Sequence, residues 1–155
     1  MLNKQHTKYL GIDYGKKRIG VSISDNNKVI AFPLETIETN KIISFLEDLI
    51  KKEKIEKIII GKPLNLNNQL HELEIDIIEF SKLIKSLFPQ IKIERIDERY
   101  TSKMSSVIIN QSGVNQKKRR NKSIIDKISA SLILESYLIK KNTWYALLLH
   151  MVIRF

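Results

Sequence analysis

The chain contains no cysteine, which excludes disulfides, thiolate metal sites and cysteine nucleophiles together. A reducing cytoplasm is the expected setting. Histidine is nearly as scarce, and His6, His71 and His150 share no metal-ligand spacing, so no imidazole chemistry is expected of them. With only three prolines and five glycines, the chain has no linker-like or low-complexity segment, and it shows no internal repeat. Long apolar runs are missing too. The opening MLNKQHTKYL has no signal-peptide core, and WYALLLHMVI (Trp144 to Ile153) is far shorter than the roughly 20 residues a membrane span needs. The expected role of that segment is packing on the domain or on a second copy of the chain, as a homodimer. Acids are in deficit, with 17 Asp and Glu against 27 Lys and Arg, a formal charge of +10. This imbalance favours a polyanionic partner, nucleic acid before any membrane, through phosphate contact and counterion release.

What is present reads as one globular domain over residues 1–141, followed by the apolar tail 142–155. Strands are expected at about Tyr9 to Tyr14, Arg18 to Ser24 and Val29 to Leu34, an antiparallel meander. Thr39 or Asn40 should cap a helix whose apolar face runs from Ile42 to Ile50. Ile55 to Ile60, closed by Gly61, has the composition of a strand buried on both faces. A polar loop, KPLNLNNQ, precedes a helix from about Leu70 to Leu87, and a fifth strand follows from Ile91 to Asp97. A short helix around Ser102 to Gln111, a basic loop NQKKRRNK and a final helix from Ile124 to about Lys140 complete the order βββ-α-β-α-β-α-α. The expected fold is α/β: a five-stranded mixed sheet with helices on both faces, the ribonuclease H-like arrangement.

Within LGIDYGKKRIGVSISD, Leu10 and Ile12 alternate with Gly11 and Asp13, and Ile19, Val21 and Ile23 alternate with Gly20, Ser22 and Ser24. A carboxylate on such a strand is costly to bury unless it is paired or holds a cation, so Asp13 is the first candidate for a site. Two more acids occupy the places where this fold gathers them. Glu98 follows the fifth strand in IDERYTS, and Asp126 opens the last helix in NKSIIDKISASLIL. Each has an ordinary alternative: Ser123 and Asp126 fit a capping box, and Glu98 sits in a charged run where acids are usually solvated or ion-paired. Asp97 is the wrong neighbour to choose, because strand alternation sends adjacent side chains to opposite faces.

The segments LGIDYGKKRIGVSISD, IIIGKPLNLNN, IDERYTS and IDKISASLILESYL, in that order, resemble the YqgF family of the ribonuclease H-like superfamily, over about residues 8 to 140. Family members are described as Holliday junction resolvases and as nucleases acting at the 5′ end of pre-16S ribosomal RNA. The resemblance implies a phosphodiester-hydrolysing nuclease, an rRNA precursor or other structured RNA ahead of branched DNA as substrate, and a catalytic, metal-binding triad of Asp13, Glu98 and Asp126. Carboxylates alone suit Mg²⁺ or Mn²⁺, which prefer oxygen ligands, and two such ions can flank a scissile phosphate. Phosphate contacts are expected from basic and polar groups near these acids: Arg18, Lys62, Asn65, Arg99, Lys117, Lys118, Arg119, Arg120 and Lys122. Thr101 is a helix cap on this reading.

Two rivals share some of these features. The acid and glycine turn of GIDYGKKRIGVS also suit the phosphate loop of actin-like kinases, but such enzymes close two domains around a nucleotide and this chain has the length of one. A non-catalytic RNA-binding module would keep the fold and the charge without using the acids.

Overall fold

A computed structural model describes residues 6–62, 72–97 and 122–153, with side chains up to Thr143. Five strands, β1 (Lys8–Asp13), β2 (Arg18–Ser24), β3 (Ala31–Glu38), β4 (Ile55–Lys62) and β5 (Lys92–Asp97), form one sheet in the order β3-β2-β1-β4-β5. The meander β1-β2-β3 is antiparallel, whereas β1-β4 and β4-β5 are parallel. Helices α1 (Ile42–Lys52) and α2 (Leu73–Leu87) supply the crossovers between parallel strands, and α3 (Lys122–Ile153) is the last element. The mixed α/β sheet expected from the sequence is therefore the one observed, with β1 at its centre.

The two faces are covered differently. Leu10, Ile12, Ile19, Val21, Ile58 and Ile60 point to one side and pack with Ile42 and Leu46 of α1 and Ile77, Phe80 and Ile84 of α2. Tyr9 and Ile59 point to the other, where Ile133, Leu134 and Leu138 of α3 cover them. Arg95 clamps α2 to β5: its two terminal nitrogens donate to the two oxygens of the buried Glu74 carboxylate, each at 2.9 Å. One of them also donates to the carbonyl of Gly61 at 2.9 Å, so this buried charge pair is fully engaged.

Three local expectations are corrected. β3 lies later than expected, at Ala31–Glu38, because Asp25 folds the preceding segment into a turn. Its Oδ1 accepts from the amides of Val29 and Ile30 at 2.7 and 2.8 Å, and its Oδ2 from Asn27 at 3.0 Å. Neither Thr39 nor Asn40 caps α1, since both lie in a 3-10 turn, Thr39–Lys41, ahead of it. The Thr39 hydroxyl donates instead to the Gly15 carbonyl at 2.8 Å and ties down the β1-β2 hairpin. Finally, α3 does not stop at Lys140. No glycine or proline interrupts the chain from Lys122 to Ile153, so the apolar segment continues the helix to about 48 Å, roughly twice the length of the strands it crosses. The short helix expected around Ser102 to Gln111 lies outside the described residues.

Candidate active site

Asp13 ends β1, and its partner across the antiparallel pair is Gly20 of β2. Paired residues share a face, so Asp13, Gly11 and Tyr9 look toward α3 together with Gly20, Ser22 and Ser24. On the other flank the parallel register sets Ile12 against Ile60, which leaves Gly61 as the next β4 residue beside Asp13. The carboxylate thus stands between two strand positions that carry no side chain.

Those small residues let α3 come unusually close. A Cβ on Gly20 would lie 2.1 Å from the carbonyl oxygen of Asp126, and one on Gly11 would lie 2.7 Å from that of Ala130. Such separations are available only to glycine. Ser22, the strand partner of Gly11, donates its buried hydroxyl to the Ala130 carbonyl at 2.8 Å, and Thr36 of β3 donates to the Ser123 carbonyl at 2.7 Å. The backbone of Asp126 is therefore seated on Gly20, the residue paired with Asp13. Asp13 and Asp126, 113 positions apart in sequence, are thus brought to the same end of the sheet.

The side chain of Asp126 is held by Arg18, whose Nε donates to Oδ2 at 3.0 Å. Asp126, for which a capping box with Ser123 is the ordinary alternative, thus reaches across to β2. Arg18 was expected at phosphate and in this structure is paired with an acid. Lys62, at the carboxyl end of β4, is in register with Asp97 and shares a face with Ile58 and Ile60, opposite Asp13. Asp97 falls on the same side as Arg95, which faces α2, while Ile96 faces α3. Lys122 is exposed at the start of α3. Glu98, Asn65, Arg99, Lys117, Lys118, Arg119 and Arg120 lie outside the described residues.

Sequence reasoning missed Gly20, Gly11 and Ser22 as the residues that set the depth of α3. The signal was the run of small residues on alternate positions of β2, which marks a face approached by backbone. Among the described residues the donor set is two carboxylates, which suit a hard divalent cation, and no cluster of three metal-ligating side chains occurs there.

Residues 7–140 match the family model RuvX, described as Holliday junction resolvase. The chain belongs to that family. It is 42% identical over 133 residues to a protein of Flavobacterium johnsoniae named "Putative pre-16S rRNA nuclease", covering 86% of this chain and 96% of the relative. A relative of the same name in Flavobacterium psychrophilum is 44% identical over 132 residues, covering 85% and 96%. Among solved structures, RuvC of T. thermophilus in complex with a Holliday junction substrate superposes with a TM-score of 0.52 at 13% identity, over 83% of this chain and 92% of that one. The last likeness carries the fold, which is ribonuclease H-like. Family membership makes this RuvX chain a nuclease, an enzyme that hydrolyses phosphodiester bonds, with nucleic acid as its partner. No helix among the described residues is long and apolar enough to cross a membrane.

Proposed function

We propose that the chain hydrolyses the phosphodiester backbone of a ribosomal RNA precursor, at the 5′ end of pre-16S rRNA, in the cytoplasm. The observation that supports this most is the seating of Asp126 on Gly20, the strand partner of Asp13. It brings an acid of α3 to the end of β1 that carries another, and carboxylate oxygens of that kind suit a hard divalent cation. The names of the relatives support this substrate, and the +10 charge suits any nucleic acid backbone. Branched DNA is the second reading, supported by the description of the family.

Asp13, Asp126 and Glu98 would hold Mg²⁺ or Mn²⁺, two ions in full occupancy, and such ions supply an activated water and neutralise charge at the scissile phosphate. Asp13, between the glycine positions of β2 and β4, would be the strand ligand of such an ion. Asp126 approaches from the helix side, oriented by the close seat of α3 on β2. Lys122 and the basic residues 117–120 would bind the substrate backbone and fix its register without reading sequence.

The test is to incubate the purified protein with a pre-16S rRNA fragment and, separately, with a four-way DNA junction, in Mg²⁺ or Mn²⁺. Asp13→Asn should abolish cleavage, by more than about 100-fold, with binding largely kept. Cleavage that survives excess EDTA would overturn the metal reading, and preferential cutting of the junction would transfer the substrate to DNA. Phosphoryl transfer from ATP without nuclease activity would favour the kinase-like rival.

A further inference from the structure

Arg18 is placed on the wrong partner for a residue that only binds substrate. It opens β2, two residues before Gly20 and on the same face, and its Nε bonds Asp126 at 3.0 Å. The partner is one of the acids assigned above to the metal. A guanidinium and a divalent cation compete for the same carboxylate, since each needs its lone pairs and each repels the other's charge. The contact is also easy to exchange. It is a single hydrogen bond through Nε, and the two side chains keep 38% and 25% of their exposure, so solvent offsets much of the cost of parting.

We propose that Arg18 exchanges the Asp126 carboxylate for a phosphate of the substrate backbone, and so couples divalent-ion binding to nucleic-acid binding. This rests on the metal-dependent nuclease reading. Without an ion, Arg18 neutralises Asp126 and holds it on β2. An ion at the acids leaves Arg18 without its partner beside the place to which a phosphate is drawn, and a planar guanidinium suits two phosphate oxygens at once. Coupling of this kind is reciprocal: nucleic acid must tighten ion binding by the same factor by which the ion tightens nucleic-acid binding. Its use is to keep the site from loading fully before a substrate is present.

The exchange predicts opposite effects of one substitution. Arg18→Met should bind Mn²⁺ about fivefold tighter than the wild type in the absence of nucleic acid, read by electron paramagnetic resonance of free Mn²⁺. The same variant should bind a pre-16S rRNA fragment about tenfold more weakly in Ca²⁺, yet within about twofold of wild type in EDTA, where Arg18 is engaged with Asp126. Arg18→Lys keeps the charge without the fork, so it should retain the weaker Mn²⁺ binding while losing part of the Ca²⁺-dependent RNA affinity. Unchanged or weaker Mn²⁺ binding by Arg18→Met would leave Arg18 as a fixed brace for Asp126 and overturn the exchange. Equal RNA losses with and without Ca²⁺ would make it a plain phosphate contact, which overturns it as well. If the wild type binds no Mn²⁺ and cleaves in EDTA, the metal reading itself falls and the exchange falls with it, whereas normal Mn²⁺ binding by the wild type that Asp13→Asn abolishes keeps the metal reading independent of the fate of Arg18.

Discussion

The two faces of the sheet bury similar strands by opposite means. Toward α1 and α2 the strands present branched aliphatic side chains, with Leu10, Ile12, Ile19, Val21, Ile58 and Ile60 all fully buried. Toward α3 the same strands present Gly11, Gly20, Ser22 and Gly61 at the acid end and Tyr9, Lys57 and Glu94 at the other. The first face derives its stability from apolar area and tolerates small shifts of its helices. The second face brings helix backbone onto strand backbone, and this fixes a carboxylate on α3 relative to one on β1. Apolar packing holds the first face together, and the second adds to its own cluster of Tyr9, Ile59, Ile133, Leu134 and Leu138 a close backbone seat that fixes position.

Substitutions on each face should separate these contributions. Ile60→Ala, on the aliphatic face, removes a fully buried side chain and should cost about 4 kcal/mol of stability by chemical denaturation. Cleavage per folded molecule should stay within about twofold of wild type, because nothing at the acids moves. A large loss of activity in protein shown to be folded would mean that both faces position the site. Gly20→Ala makes the opposite prediction. Its Cβ would meet backbone atoms of Asp126 at 2.1 and 2.5 Å, and backbone cannot turn aside as a side chain can. The helix has to lift by about 1 Å, which should cost about 2 kcal/mol of stability and about 100-fold in cleavage. Retained activity would show that the acids tolerate the displacement and that the close seat serves stability alone.

Much of this was legible in the sequence because alternation and turn chemistry are local. The meander, the buried β4 and the amphipathic α1 and α2 follow from periodicities of two and 3.6, and Asp13 stood out as an acid in an apolar strand. Asp126 could be named only through its neighbours in the motif, since a helix-start acid looks like a cap. The structure adds a partner, Arg18 of β2, whose Nε donates to that carboxylate. The shift of β3 and the missing cap of α1 were not legible, as both depend on side chains, Asp25 and Thr39, whose partners are decided by the fold around them. The seat of α3 was half legible: the small residues of β2 were plain, but what approached them was not.

At the far end of the α3 face, polar groups answer one another. Lys57 reaches the carboxylate of Glu94 and the hydroxyl of Tyr137, and Tyr137 donates to the second Glu94 oxygen at 2.7 Å. Lys141 reaches the hydroxyl of the buried Tyr9 from the next turn of α3, and the Tyr9 and Tyr137 rings meet edge to face at 6.0 Å. Burial alone would raise the Glu94 pKa, but hydrogen bonds from Lys57 and Tyr137 and the charges of Lys57 and Lys141 outweigh it and hold the carboxyl below its ordinary 4.5. Burial likewise opposes the charge on Lys57, and its bonds to Glu94 and Tyr137 raise its pKa in spite of that. A depressed carboxyl pKa stabilises the fold above the unfolded value, and the contribution is lost as pH falls from about 4.5 through the folded one. The raised Lys57 keeps its part across the neutral range and loses it only above its ordinary 10.5. Glu94→Gln should therefore cost about 1 kcal/mol, discounted for the exposed part of the carboxylate, and leave cleavage unchanged. Its Tm deficit against wild type should be constant between about pH 6 and 9 and shrink below about pH 4.5. A deficit that instead grows in acid would mean that Glu94 is held protonated in the folded state, and the far end of this face would then not be held by the charge pair of Lys57 and Glu94.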